Sequence, residues 1–354
     1  MKEIAFVLPV RGGSGGAHSV VQEVDAMRSI GFDASIYVNN SNLAEFRKNY
    51  ERFSWVNTEN VKNFEGPKEL SQLASKTKIM IATTNTSTHS IYEAIRRLES
   101  PPRAAYYVQD YEPFFYDVHS GEYLMALKSF SLFERCVYFA KSRWLRDTVA
   151  RCHGHEVSAV VPSIDHSLYH PKSPPSFQAP LLVAMVRTGT PRRAPGRTLE
   201  ILGRIAAGSF GSFQVVAFGA TVEEIHALDL ELPRNVKIVG HLSQPQVAIL
   251  LKKASFFLDL SDYQAFGRTA AEAMACGCIV LAPLVGGASD FVSEGVNGFL
   301  ADANNESDLE ETLGTMLSLP SPEARSIRFA AVDTVAGFTP LRAAISELHA
   351  LGLA

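Results

Sequence analysis

The stretch Ser261–Cys278 holds the residues best suited to chemistry: an acid, Glu272, on a segment with helical spacing, just after a Phe266-Gly267 turn. Backbone N–H groups of Gly267, Arg268 and Thr269 would face an anion there, because the first turn of a helix leaves its donors unpaired. The Glu272 carboxylate could accept from a pair of sugar hydroxyls. Its plainer use is to complement the helix dipole, worth about 0.3–1 kcal/mol. Eight residues earlier, where a second acid would complete a pair, stands an amide, Gln264.

Four arginines, Arg187, Arg192, Arg193 and Arg197, follow the apolar run Leu181–Val186. A guanidinium suits phosphate because its planar fork donates two hydrogen bonds at fixed charge. A solvated basic loop is the other reading; the position directly after a strand favours phosphate. A glycine-rich loop, Arg11–Ser19, follows the first apolar run and contains Gly15, Gly16 and His18. Counting a dinucleotide fingerprint from Gly13 and Gly15 puts His18 at the third glycine, and Asn39-Asn40 where an acid is needed. A nicotinamide site is therefore a weak alternative, a P-loop lacks its Lys-Ser/Thr pair, and a mere tight turn stays open. Asp110 and Glu112, after the run Ala104–Gln109, read either as groups that position an acceptor or as a surface acid pair. His153/His155 and Asp117/His119 are isolated, so no metal and no cofactor are expected.

These residues need a scaffold of strands that end in loops. Branched apolar runs at Ile4–Val10, Asp33–Val38, Ile79–Thr83, Ala104–Gln109, Cys136–Ala140 and Ser158–Pro162 alternate with helix-period segments, the first at Ser19–Ile30. After a Pro-rich stretch, His170–Pro180, the pattern restarts at Leu181–Val186, Phe213–Gly219, Val236–Gly240, Ser255–Leu260 and Cys278–Pro283. This predicts an α/β protein of two Rossmann-like, doubly wound domains, with ligands at the carboxyl ends of the strands. The expected boundaries are 1–170, a linker 171–180, and 181–337.

A chain of 354 residues exceeds what one core usually supports, in keeping with two domains. A net charge of −4 supplies no global attraction for nucleic acid. Four cysteines with no metal spacing fit a reducing, cytoplasmic setting. The N-terminus lacks the pattern of a signal peptide, and the longest apolar run, Ala273–Val285, is too short to span a bilayer. A protein that is soluble, or peripheral at the inner face of a membrane, is expected. The basic segment Lys141–Arg151 with Trp144 fits membrane contact and a solvated helix face equally.

Taken together, five ordered motifs resemble glycosyltransferases of family 4, which have the GT-B fold of two domains facing across a cleft. "YQAFGRTAAEAMACG" resembles that family's E-x7-E segment, "GGASDFVSEGVNGFLAD" the stretch after it, and "VVPSIDHSLYHP" the segment leading into the linker. "GGAH" resembles the glycine pair facing the donor phosphates, and Arg187 and Arg192 match in spacing the Arg and Lys that bind the diphosphate. The resemblance implies a metal-independent, retaining transfer of a sugar from a nucleotide-sugar donor to a glycan or glycolipid acceptor. Glu272 would hold the ribose; Gly15, Gly16, Gln264, Phe266, Gly267, Arg268 and Thr269 would line the donor. Arg187, Arg192, Gln109 and Asp110 would serve the reaction, and His18, Tyr111 and Glu112 would lie on the acceptor side. It also implies a final helix, around Leu341–Leu351, that returns to the first domain. "YYVQDYEPFFY" is similar to bacterial surface-glycan rhamnosyltransferases, which points to a deoxysugar donor such as dTDP-L-rhamnose. Two departures stand out: Gln264 replaces the first acid of the pair, and Gln109 replaces a histidine common in relatives. They admit altered donor selectivity or a catalytically silent, nucleotide-sugar-binding relative.

Overall fold

The computed structural model describes residues 2–171 and 180–354, so residues 172–179 of the expected linker lie outside the described residues. The chain forms two compact units, Met1–Ser163 with Phe338–Ala354, and Ile164–Gly337.

The first unit is built on strands β1 (Lys2–Val7), β2 (Ala34–Asn39), β3 (Val61–Phe64), β4 (Thr77–Ala82), β5 (Arg103–Tyr107), β6 (Cys136–Ala140) and β7 (Val157–Ala159). All pair in parallel, in the order β3-β2-β1-β4-β5-β6-β7. A parallel sheet is covered on both faces, which is why its strands read as unbroken apolar runs. Phe6, Ile36, Val38, Ile81 and Phe139 are buried with Val20, Val21, Val24 and Met27 of the helix Gly15–Ser29. β1 stops at Val7, short of the expected Val10, because Pro9 offers no N–H to a ladder. That first helix begins at Gly15 rather than Ser19: the Ser14 hydroxyl accepts from the Ala17 N–H at 3.3 Å and caps it.

The last helix, Pro340–Ala350, belongs to this unit and packs on the helix Gly15–Ser29. Ser346 Oγ accepts from the Val161 N–H at 2.8 Å. Glu23 and Glu347 are both wholly buried in that contact; Lys141 Nζ pairs with Glu23 at 3.3 Å. Burial, then the neighbouring Glu23, pushes the Glu347 carboxyl well above the usual range, which favours the protonated form that can donate to Glu23.

The second unit has strands β8 (Leu181–Met185), β9 (Gln214–Phe218), β10 (Val236–Ile238), β11 (Phe256–Leu258), β12 (Ile279–Pro283) and β13 (Phe299–Ala301), all parallel, in the order β10-β9-β8-β11-β12-β13. Residues 164–170 group with this unit rather than with the first. The buried Tyr169 explains the shift, since its hydroxyl donates to the Gln244 carbonyl of this unit at 3.5 Å.

β3 and β13 were not anticipated from sequence. Both are edge strands of four and three residues, too short to show a period or an apolar run. In each sheet the strand order reverses once, between β1 and β4 and between β8 and β11. Such reversals splay the flanking loops apart and leave room for ligands at the carboxyl ends of the strands.

Candidate functional site

In the second unit three loops leave the carboxyl ends of β8, β11 and β12 beside the reversal point. The loop after β11 ends at Gly267, which caps the helix Arg268–Ala275 with φ +88°. A Cβ there would adopt a conformation costly to other residues and press on Ala288, so glycine is required. No side chain caps this helix, in keeping with an N-terminus that a ligand anion could occupy. Phe266 packs on Phe291 with ring centroids 5.2 Å apart, and so supports the turn from behind.

Glu272 lies one turn into the helix and is 5% exposed. Its Oε1 accepts from Arg268 Nε at 2.8 Å. Burial raises the pKa of the Glu272 carboxyl, opposed by the Arg268 guanidinium and the Tyr169 hydroxyl. Its role is thus wider than complementing a dipole: it is a buried acceptor, pre-oriented by the Arg268 guanidinium.

The four arginines part company. Arg187 is exposed at the end of β8. Arg192 lies on a short 3-10 turn, Pro191–Arg193, with its guanidinium 4.8 Å from the Tyr263 ring centroid and donating to the Tyr263 carbonyl at 3.4 Å. Arg197 is committed to structure, since it donates to the Leu260 carbonyl at 2.8 and 3.1 Å, to Asp262 at 2.6 Å and to Asn304 at 2.9 Å. Arg193 pairs with Asp259 at 3.5 Å. The tie between the two loops is completed by the Asp262 N–H, which donates to the Arg192 carbonyl at 2.8 Å.

Gln264 is clamped along its backbone, paired in parallel with Gly286, while its carbonyl accepts from the Gly287 N–H at 2.8 Å. Its side chain, 4% exposed, donates from Nε2 to Asp259 Oδ2 at 2.8 Å and to Ser261 Oγ at 3.0 Å. Asp259, Tyr169 and Gly286 were missed by the sequence reading. The Asp-x-Ser-Asp pattern at Asp259–Asp262, right after β11, was the one signal that could have marked the first.

In the first unit the loop after β1 and the loop after β5 meet at the other reversal point. Gly12 and Gly13 carry the positive φ values, +88° and +77°, whereas Gly15 and Gly16 form the first helical turn. Gly13 N–H donates to the Tyr50 hydroxyl at 3.1 Å, and the His18 ring meets the Tyr50 ring edge-on at 5.4 Å. Gly16 and Gln109 are brought together so closely that a Cβ on Gly16 would strike the Gln109 amide oxygen. Gly16→Ala is therefore expected to leave the melting temperature unchanged or slightly higher, since alanine favours the helix by about 1 kcal/mol and the displaced group is a flexible side-chain end. Turnover should fall about tenfold if Gln109 acts where the resemblance puts it. Unchanged turnover would remove Gln109 from the site.

The acids beyond β5 are not a surface pair. Glu112 is half-buried and its Oε2 accepts from the Asn85 N–H at 2.5 Å, at the N-terminus of the helix Asn85–Ile95. Burial pushes its pKa up to about 7, helped by the charge of Asp110 and resisted by the Asn85 N–H. Asp110 turns back to accept from the Tyr111 N–H at 2.9 Å. Tyr111 is only 3% exposed, its hydroxyl 3.0 Å from His153 Nε2, so it supports this loop rather than presenting itself to an acceptor. His153 ends the helix Arg143–His153, stacks on Phe130 and has its pKa lowered to about 4 by burial and by His155. Tyr106 and Tyr107 are buried strand residues, while Phe114 and Phe115 are exposed.

Because the folded pKa of Glu112 exceeds that of an unfolded glutamate, its protonated form stabilises the fold below about pH 4.5, and that contribution is lost as pH rises through about 7. A melting curve taken every half unit between pH 5 and 8 should fall more steeply for the natural protein than for Glu112→Gln. Parallel curves would contradict the assignment.

Among the described residues no cluster of three or more His, Cys, Asp or Glu side chains could hold a metal ion, and no helix is long and apolar enough to cross a membrane.

Comparison with known proteins agrees with this geometry. Residues 170–331 match the family model "Glycosyl transferases group 1". The chain is 29% identical over 198 residues to the D-inositol 3-phosphate glycosyltransferase of Mycobacterium avium, a match covering 52% of this chain and 46% of that one. It is 39% identical over 79 residues to an uncharacterized glycosyltransferase of Methanocaldococcus jannaschii, 22% of either chain. These matches take in less than half the length of the curated relatives. Among solved structures, Anabaena HepE in complex with UDP and glucose superposes with a TM-score of 0.80 at 17% identity, over 99% of this chain and 100% of that one. Sucrose-phosphate synthase from Thermosynechococcus elongatus gives 0.76 at 16% identity, over 99% and 98%. The two parallel sheets and their order are those of the GT-B fold, and residues 170–331 of this chain are similar to the group 1 glycosyl transferases.

Proposed function

We propose that this protein is a glycosyltransferase that moves a sugar from a nucleotide-sugar donor to a glycan or glycolipid acceptor, with retention and without a metal. The observation that carries this is the tie between the loops after β8 and β11, which puts Arg192 beside the loop leading to the Gly267 helix start and to Glu272. Departure of a nucleoside diphosphate gathers negative charge on its terminal phosphate. Arg187, Arg192 and the N–H groups of Gly267, Arg268 and Thr269 would meet that charge as preorganised donors, a role that elsewhere falls to a bound cation. Glu272 would accept from the ribose hydroxyls. In a retaining scheme the departing phosphate takes the acceptor proton, so no dedicated base is required, and Asp110 would position the acceptor with His18 and Glu112.

HepE, of the same fold, is described in complex with UDP and glucose, which makes a UDP-hexose the first donor to try. The likeness at Tyr106–Tyr116 supports dTDP-L-rhamnose as the second. Peripheral contact with a membrane, through the exposed Phe114 and Phe115, is supported by their exposure alone.

A thermal-shift panel of UDP, dTDP and GDP, each with and without its hexose, tests the reading, because a bound ligand stabilises as RT ln(1 + [L]/Kd). One nucleotide should raise the melting temperature in EDTA, and its sugar form should be consumed with a glycan acceptor. Stabilisation without transfer to any acceptor would mark a silent binding relative; stabilisation by NAD(P) alone would overturn the proposal.

A further inference from the structure

The site holds one more carboxylate than the resemblance uses. Asp259, the first residue beyond β11, is 7% exposed and accepts from four donors: the Ser261 N–H at 3.2 Å, the Ser261 hydroxyl, Gln264 Nε2 at 2.8 Å and Arg193 Nη1 at 3.5 Å. Ser261 spends its only proton on Asp259, so towards Gln264 its oxygen can only accept. Both neighbours of the Gln264 amide nitrogen are therefore acceptors. Turning the amide over would set its oxygen against a carboxylate and a hydroxyl oxygen with no proton between them. Chemistry alone fixes the nitrogen inward. Oε1 is left as the polar atom of that side chain with no donor among the described residues, on a residue whose backbone is clamped by Gly286 and Gly287.

We propose that Asp259 is the positioning residue for donor-sugar recognition: it carries the carboxylate that position 264 lacks, and it locks Gln264 so that a neutral, acceptor-only oxygen is offered to a hydroxyl of the transferred sugar. This rests on the donor site proposed above. A carboxylate and a locked amide carbonyl both accept from a hydroxyl, so Gln264 keeps the hydrogen-bonding sense of an acid while the negative charge sits behind it. Restoring an acid at 264 then creates a fault rather than repairing one, because two carboxylates would meet in a buried corner with Arg193 as the nearby cation.

Calorimetric titration of the natural protein, Asp259→Asn, Gln264→Glu and the double variant with UDP and UDP-glucose, or whichever pair of the panel stabilises most, separates the possibilities. The ratio of the two Kd values reads the sugar subsite alone. Asp259→Asn lets the amide turn over, and should lower that ratio about tenfold while the affinity for the nucleoside diphosphate holds. Gln264→Glu should lower the ratio at least as far and the ligand-free melting temperature by about 4 °C or more. The double variant, with one carboxylate again, should recover most of both. The inference is overturned if Gln264→Glu binds and melts like the natural protein, if Asp259→Asn weakens both ligands alike, or if the melting effects simply add. If no nucleotide binds the natural protein, the donor reading fails with everything built on it, whereas loss confined to the inference leaves nucleotide binding intact.

Discussion

Arg187→Ala should cut turnover about 100-fold or more and leave the fold untouched. In the proposed reaction the leaving diphosphate gains charge only as the sugar departs, so a cation placed for it stabilises the transition state more than the bound donor. Removing one such preorganised donor costs about 2.7–4 kcal/mol of barrier. Arg187 is exposed at the end of β8, and a surface substitution of that kind moves stability by about 0.5 kcal/mol at most. Steady-state kinetics with the sugar nucleotide found by the panel should therefore show kcat reduced with the melting temperature unchanged. Arg197→Ala supplies the contrast, since it breaks the bonds to Leu260, Asp262 and Asn304 that hold the next loop, and should lower stability first. Near-normal kcat in Arg187→Ala would remove that residue from the leaving-group site.

Gly286→Ala should be the most damaging small substitution in the second unit. Gly286 has φ +118°, where an L side chain is strained, and a Cβ would overlap the backbone carbonyl of Gln264. Backbone cannot swing aside as a side-chain end can, so either the parallel bridge opens or the β11–helix loop moves. A loss of about 3 kcal/mol or more is expected. Sugar-nucleotide binding should suffer further, because the same bridge holds Gln264. Gly314→Ala, inside the helix Glu306–Leu317 with open space around it, is expected to be neutral or stabilising, and serves as the control. Equal melting temperatures for the two variants would contradict the clamp.

Much of the fold was legible because parallel strands buried on both faces must be continuous apolar runs; β6 matches its predicted span residue for residue. The helix start at Gly267 was legible for a related reason, since a glycine must end the loop where the backbone turns left-handed. What failed was short or shared: β3 and β13 are edge strands too brief to show a pattern, and the start at Gly15 depended on a cap from Ser14. In the site, composition marked an arginine cluster but could not divide it. Arg197 and Arg193 are bound to Asp262 and Asp259, more than sixty residues along the chain. Likewise Tyr111 looked available until packing buried it against Phe130 and His153.

By itself, then, the sequence determined the alternation of strand and helix, the two sheets, and the loops where ligands should be sought, because period and turn chemistry are local properties. Tertiary structure alone decided which charged groups are spent on the fold, which way the Gln264 amide faces, and that its partner is Asp259. Those outcomes depend on who meets whom across distant loops, where a hydrogen bond or buried charge takes its value from its neighbour.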